Sequence, residues 1–201
     1  MNYKVITAVT AEPVSLADAK LHLRLDDIGG SHPHDALVTS LISSAREFAE
    51  HYTGRALAQQ TLEVALDSFP NGDTIDLPRP PVASVTSIKY DDSDNVEQTM
   101  SAADYSLSAY GDRRRINLGP DADWPGTYSK ADAVRIRYVT GYGATGHDAT
   151  GQYATCPKAA AMAILLQVEL DYPASQLTPA EREASERARD SLLNTIKLWG
   201  F

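Results

Sequence analysis

The sequence predicts an α+β fold: mainly a helical bundle of four helices, with a small antiparallel β-sheet region inserted between the second and third. Helix-period apolar patterns occupy both ends of the chain, two-residue alternation fills the middle, and turn chemistry separates the alternating runs. The expected organisation is a single domain over 1–201. It comprises N-terminal helices over 13–56, a β-rich insertion over 57–143 and C-terminal helices over 156–201.

Ser15 and Asp18 form a capping-box-like pair ahead of Leu16, Ala19 and Leu23, which share one helical face. This short first helix should end near Asp26-Asp27-Ile28-Gly29-Gly30. From Asp35, a plausible N-cap, Leu37, Leu41, Ala45, Phe48 and Tyr52 make an apolar stripe flanked by Val38, Ile42 and Ala49. Gly54 can supply the left-handed stop. At Thr61 the period becomes two, with Leu62, Val64 and Leu66 on one face. Further strands are expected around Thr74 to Leu77, Val85 to Tyr90, Tyr105 to Leu107, Arg115 to Leu118 and Val134 to Val139. Asn71-Gly72, Pro78 to Pro81, Asp91 to Asn95 and Gly119-Pro120 supply the turns. A Gly-rich loop from Gly141 to Gly151 leads to Pro157, suited to the first residue of a helix. That helix carries Ala160, Ala163, Ile164, Leu166, Val168 and Leu170, is nearly all apolar, and should be central until Pro173 ends it. Thr178-Pro179-Ala180-Glu181 then opens the last helix with cap, first-turn proline and capping-box glutamate.

The chain has 201 residues, 43% of them apolar and 22% charged, which is globular composition with enough length to bury a core. A formal charge of −9 argues against a free-standing nucleic-acid binder, which needs a basic face. The single cysteine, Cys156, excludes an internal disulfide and fits a reducing compartment. No apolar run approaches the roughly 20 residues that span a bilayer. Met1 to Val9 does not read as a signal peptide, so residence in the cytoplasm is expected.

No enzyme, cofactor or metal site emerges from the motifs. Gly141-Tyr142-Gly143-Ala144-Thr145-Gly146 matches G-x-G-x-x-G, but a dinucleotide site needs its glycines to open a helix directly, and the next helix waits until about Pro157. Among the five histidines, His32 and His34 lie near Asp26, Asp27 and Asp35. Their spacing fits no zinc pattern, and a polar inter-helix loop is the expectation. Asp91, Asp92, Asp94 and Glu97 lack the glycine and the twelfth-position glutamate of a calcium loop, and read as a solvated hairpin turn. Cys156 precedes a helix start but has no evident base. Neither a G-x-S-x-G elbow nor a P-loop is present.

Two charged regions remain as candidates for contacts. Arg113, Arg114 and Arg115 form the densest basic cluster, suited to phosphate or, in a chain this acidic, to carboxylates of a neighbouring subunit or to solvent. The last helix pairs Arg182 with Glu186 and Glu183 with Arg187 at i,i+4 spacing, and its Ala180, Ala184, Ala188 and Leu192 side is expected to pack. Beyond it come Leu198, Trp199 and Phe201, apolar where chain ends are usually polar. The docking candidates are thus Arg182, Arg187, Leu192, Leu193, Ile196, Trp199 and Phe201.

Four ordered segments and a helix carry a resemblance. They are Val14-Ser15-Leu16-Ala17-Asp18-Ala19-Lys20-Leu21-His22-Leu23-Arg24 and Ala45-Arg46-Glu47-Phe48-Ala49-Glu50-His51-Tyr52-Thr53-Gly54-Arg55. Leu77-Pro78-Arg79-Pro80-Pro81-Val82-Ala83-Ser84-Val85 and Arg135-Ile136-Arg137-Tyr138-Val139-Thr140-Gly141-Tyr142-Gly143 follow, and then the Ala- and Leu-rich helix after Pro157. Together, over Val14 to Tyr172, they resemble the head–tail connector, or head-completion adaptor, proteins of long-tailed double-stranded DNA phages and related gene transfer agents. The resemblance implies a structural adaptor that assembles as a homo-oligomeric, dodecameric ring and docks on the portal protein. Such a ring extends the DNA channel toward the tail, where a stopper or tail-completion protein is the next partner. It also implies assembly in the host cytoplasm and a final place in the virion neck. An acidic ring would repel phosphate within a Debye length of about 8 Å, favouring sliding of DNA over binding. The alternatives are a tail-completion or stopper protein of the same neck, or a small metal-dependent enzyme using the His32 and His34 region.

Overall fold

The computed structural model describes residues 3–27, 31–108, 115–143 and 155–199. The chain divides into two compact units. One comprises Met1–Thr10 and Gln59–Ala154, the other Ala11–Ala58 and Thr155–Phe201.

The first unit is all strand. Its strands are β1 (Tyr3–Thr7), β2 (Gln60–Leu66), β3 (Thr74–Asp76), β4 (Val82–Asp91), β5 (Glu97–Thr99), β6 (Tyr105–Leu107), β7 (Arg115–Leu118) and β8 (Val134–Thr140). They form a five-stranded sheet in the order β1-β2-β8-β4-β5 and a three-stranded sheet in the order β3-β7-β6, every pairing antiparallel. Alternation sets the register. Leu62 faces Tyr138 and Val64 faces Ile136 across an unbroken β2–β8 ladder, and all four are fully buried. Ile88, Ile116, Ile75 and Val82 complete the core, with Phe69 stacked on Trp124 at 4.9 Å between ring centroids. Tyr138 is buried yet satisfied, donating its hydroxyl to the Pro78 carbonyl at 2.8 Å, and burial raises its phenol pKa.

The solvent side of the same ladder carries charge. Asp91, only 5% exposed, accepts both Arg135 nitrogens (2.8 and 3.1 Å) and the Lys130 ammonium (2.9 Å). The Arg135 guanidinium first, then Lys130, holds the Asp91 carboxyl well below the usual carboxylate range. Glu97 is likewise lowered, by Lys89 at 2.7 Å and Arg135 at 2.9 Å. Asp92 caps the β4–β5 turn, its Oδ1 accepting the Asp94 and Val96 amides at 3.0 Å. Of the acids whose spacing superficially resembles a calcium loop, Asp91 and Glu97 are therefore engaged as ion-pair partners and Asp92 as a turn cap.

The second unit holds α1 (Leu16–Leu23), α2 (Asp35–Thr53), α3 (Lys158–Asp171) and α4 (Pro179–Ile196). Ser15 caps α1 by accepting the Asp18 amide, Gly54 ends α2 at φ 74°, and Thr178 and Glu181 close a full capping box on α4. Asp35 does not cap α2. His34 occupies that position, and the Asp35 carboxylate instead accepts the His32 amide at 3.0 Å. Pro157 sits one residue before α3 rather than inside it. Beneath α2 lies a buried ion cluster: Arg46 donates to Glu12 at 2.8 Å and to Glu50 at 2.9 Å, while Glu50 also accepts the Leu57 amide.

The expected architecture, mainly a four-helix bundle with a small inserted sheet, is corrected. The described residues hold eight strands in two sheets with their own core, in addition to the four helices, so strand structure is a major part of the fold. Two strands escaped the pattern for physical reasons. Tyr3–Thr7 borrows its pairing from β2, more than fifty residues away in sequence, and Glu97–Thr99 is a wholly exposed edge with no apolar face to alternate.

The packed faces of two helices also differ from expectation. On α2, Val38, Ile42, Ala45 and Ala49 are buried while Leu37 and Phe48 remain 38% exposed, because Arg46 and Glu50 turn inward to the ion cluster. On α4, Ala180, Ala184 and Ala188 are exposed, and the inward face runs through Ser185, Arg189, Leu193 and Ile196. Leu193 is fully buried, so Leu193→Ala should cost about 2–5 kcal/mol in a urea titration. The lowered carboxyls make a second expectation. Their stabilisation is complete above about pH 5 and is lost as pH falls through about 4 and below. Asp91→Asn should flatten that acid-side decline when unfolding is followed from about pH 7 to about pH 3.

Candidate functional site

Titratable groups near the α1–α2 connection neutralise one another. Lys20 on α1 lies between Asp27, in direct contact, and Asp35 at 3.1 Å. An ammonium thus stands between the carboxylates that a metal would have needed, and its pKa is raised mainly by its hydrogen bond to Asp27. His34 Nδ1 shares a 2.5 Å hydrogen bond with the Tyr172 hydroxyl, and His32 meets His34 edge-on. Among the described residues no group of three or more His, Cys, Asp and Glu side chains is arranged to hold a metal. His147 and most of the Gly141 to Gly151 loop, including Gly146, lie outside the described residues. Gly141 turns the chain at φ 92° directly after β8. Cys156 is half-buried, and desolvation, aided by the Glu50 charge, pushes its thiol up to about 12. That is the opposite of an activated nucleophile.

The most distinctive surface of the helical unit is a strip of alternating aromatic rings and cations. Arg189 lies over Phe48 at 4.7 Å, Phe48 neighbours Tyr52 at 6.2 Å, and Lys197 lies 4.5 Å over Tyr52 and 5.2 Å over Trp199. Trp199 is 70% exposed. The sequence pattern assigned Phe48 and Tyr52 to a core stripe; α2's inward turn at Arg46 leaves them at the surface instead. Such a strip presents apolar faces and positive charge together, as protein interfaces enriched in aromatic and Arg side chains do.

The expected docking residues separate by burial. Arg182 and Arg187 are exposed on α4, with Arg187 3.3 Å from Glu183. Trp199 is exposed, Leu192 and Ile196 are half-buried, and Leu193 belongs to the core. Phe201 lies outside the described residues, as do Arg113 and Arg114. Arg115 is half-exposed at the start of β7 and pairs with Asp76 at 3.4 Å.

An open groove of about 360 Å³ between α1 and α3 is walled by Pro13, Val14, Leu21, Ala161 and Leu165, with Asp18 and His22 also lining it. Leu21 is 80% exposed. Its signal was present in sequence, since Leu16, Ala19 and Leu23 take one face of this eight-residue helix and Leu21 falls on the opposite one.

The model of the phage gp6-like head-tail connector proteins matches residues 13–115. This chain belongs to that head–tail connector family. No curated protein matches the sequence. Among solved structures, a chain in "Neck of empty GTA particle computed with C6 symmetry" is similar at 26% identity and TM-score 0.74. Chains in "Virion of native gene transfer agent (GTA) particle" and "Neck of native GTA particle computed with C12 symmetry" follow at 25% identity, with TM-scores 0.71 and 0.69. Each match covers 100% of this chain and 97% of the other. Among the described residues no helix is long and apolar enough to cross a membrane.

A raised thiol pKa has a direct readout. Cys156 should react slowly with a thiol-specific disulfide reagent near neutral pH in the native protein. It should react quickly once urea unfolds the helical unit.

Proposed function

We propose that this chain is a structural adaptor subunit of a virion neck, forming a twelve-copy ring that docks beneath a portal and carries the DNA channel toward the tail. The carrying observation is its end-to-end likeness to chains of gene transfer agent necks, both in coverage and in TM-score. Family membership supports the same reading. A metal-dependent enzyme has no support, because Lys20 and Tyr172 already engage the groups it would use.

The charge suits the role. Both units carry an acidic excess, so the ring as a whole would be net negative. Phosphates then slide past without condensing on cations. The outward face of α4, with Arg182 and Arg187 interleaved among Glu181, Glu183 and Glu186, is the surface we assign to the portal. Arg115 is assigned to contacts between neighbouring subunits or along the channel. The chain would fold in the host cytoplasm, join the portal there, and remain in the neck, where a stopper or tail-completion protein meets its far side.

Removing α4 is a poor test, since Leu193 would leave the core. The informative variant is Arg182→Glu with Arg187→Glu, both on exposed positions. It should keep the native thermal midpoint and lose at least about tenfold in capture by immobilised portal, a loss of about 1.4 kcal/mol. Undiminished capture would move the portal contact off α4. Absence of portal binding by the unaltered chain would overturn the adaptor reading.

A further inference from the structure

We propose that the groove between α1 and α3 is the seat for Trp199 of a second copy of this chain; the proposal rests on the ring reading above. Leu21 and Trp199, at 80% and 70% exposure, are the two most exposed large apolar side chains among the described residues. Both lie in the helical unit, but on different parts of it. Leu21 rims the α1–α3 groove, whereas Trp199 follows α4 and is held beside α2 through Lys197 and Tyr52. Both α1 and α4 pack on α2 and on α3, and among the described residues they do not form a packed pair with each other. The knob and the hole therefore belong to different places on one subunit. That arrangement makes a head-to-tail contact, the kind that closes into a ring when the rotation permits.

The two surfaces match in chemistry. The groove is walled by Pro13, Val14, Leu21, Ala161 and Leu165, with two polar side chains among them, the Asp18 carboxylate and His22, which faces Glu169 at 3.5 Å. The arriving segment brings an indole with an ammonium, Lys197, 5.2 Å from its ring. An indole laid in this open groove would bury one face against its apolar wall, and would cover part of Leu21. Lys197 would then approach Asp18 at the rim. A buried Trp surrounded by lesser contacts is the usual anatomy of an interface hot spot. The cation–aromatic strip gains a purpose from this: Lys197 over Tyr52 holds the segment that carries Trp199 in a defined direction, which lowers the ordering cost of docking.

The test links the two positions across copies. In a Cys156→Ser background, full-length Leu21→Cys and Trp199→Cys chains are mixed, assembled on tailless heads that carry portal, and treated with a short bis-maleimide. A linked dimer of the two variants is expected, and a ladder of multiples from a chain carrying both cysteines. Separately, Leu21→Glu and Trp199→Ala should each lower copies bound per head at least about tenfold with the thermal midpoint unchanged, since both side chains are exposed. The inference is overturned by a ring of normal rotational symmetry that gives no such link, or by position 21 or 199 linking to portal or tail protein instead. Heads that acquire no ring from the unaltered chain would instead refute the ring reading itself.

Discussion

The packing phase of α4 decides what this protein can present to a partner. Leu193 is drawn completely into the helical core, and Arg189, one turn earlier, reaches Gln167 on α3 at 2.6 Å while covering the Phe48 ring. With those two side chains inward, the helix has no freedom to turn. Arg182, Arg187 and the alanine row must face solvent, and Lys197 is delivered over Tyr52. A rotation of α4 by one residue would bury charge without partners and dissolve the strip.

The strand unit solves a different problem, placing charge on the open face of a sheet. Lys89, Lys130, Arg135 and Arg137 cover that side with their carboxylate partners, so the acids there are already committed. Asp91 and Glu97 are tied to Arg135, and Glu63 to Arg137 at 2.8 Å. The exposed Lys89–Glu97 pair contributes little, whereas Asp91, only 5% exposed, is the buried acid of the group; together they keep both signs interspersed on one face.

How much of this was legible in sequence depends on the range of the interaction. Most caps were: Ser15, Gly54 and the Thr178–Glu181 box act within a turn of their own position and behave as their spacing predicts, whereas Asp35, expected to cap α2, does not. Six of the eight described strands were visible as alternation. Strand β1 was not, because five residues alternating Tyr3, Val5 and Thr7 become a strand only when β2 arrives to pair with them. The balance of the fold was hidden for the same reason, since two sheets sharing a core cannot be read from separate short runs. Leu193, expected at a docking surface, is buried, and Phe48, expected in the apolar stripe of α2, is 38% exposed, because helix periodicity defines a stripe but not which flank of it meets the neighbours.

Sequence alone therefore determined the local grammar and the family: cap residues, turn chemistry, the apolar α3 helix, an acidic and globular composition, and four ordered patches that resemble head–tail connectors. These depend on chemistry within a few residues, or on patterns that need no coordinates. Tertiary structure alone decided that Lys20 occupies the space between Asp27 and Asp35, that Arg46 and Glu50 turn α2, and that Leu21 and Trp199 stand exposed. Those outcomes come from side chains far apart in sequence competing for the same volume, and only packing arbitrates among them.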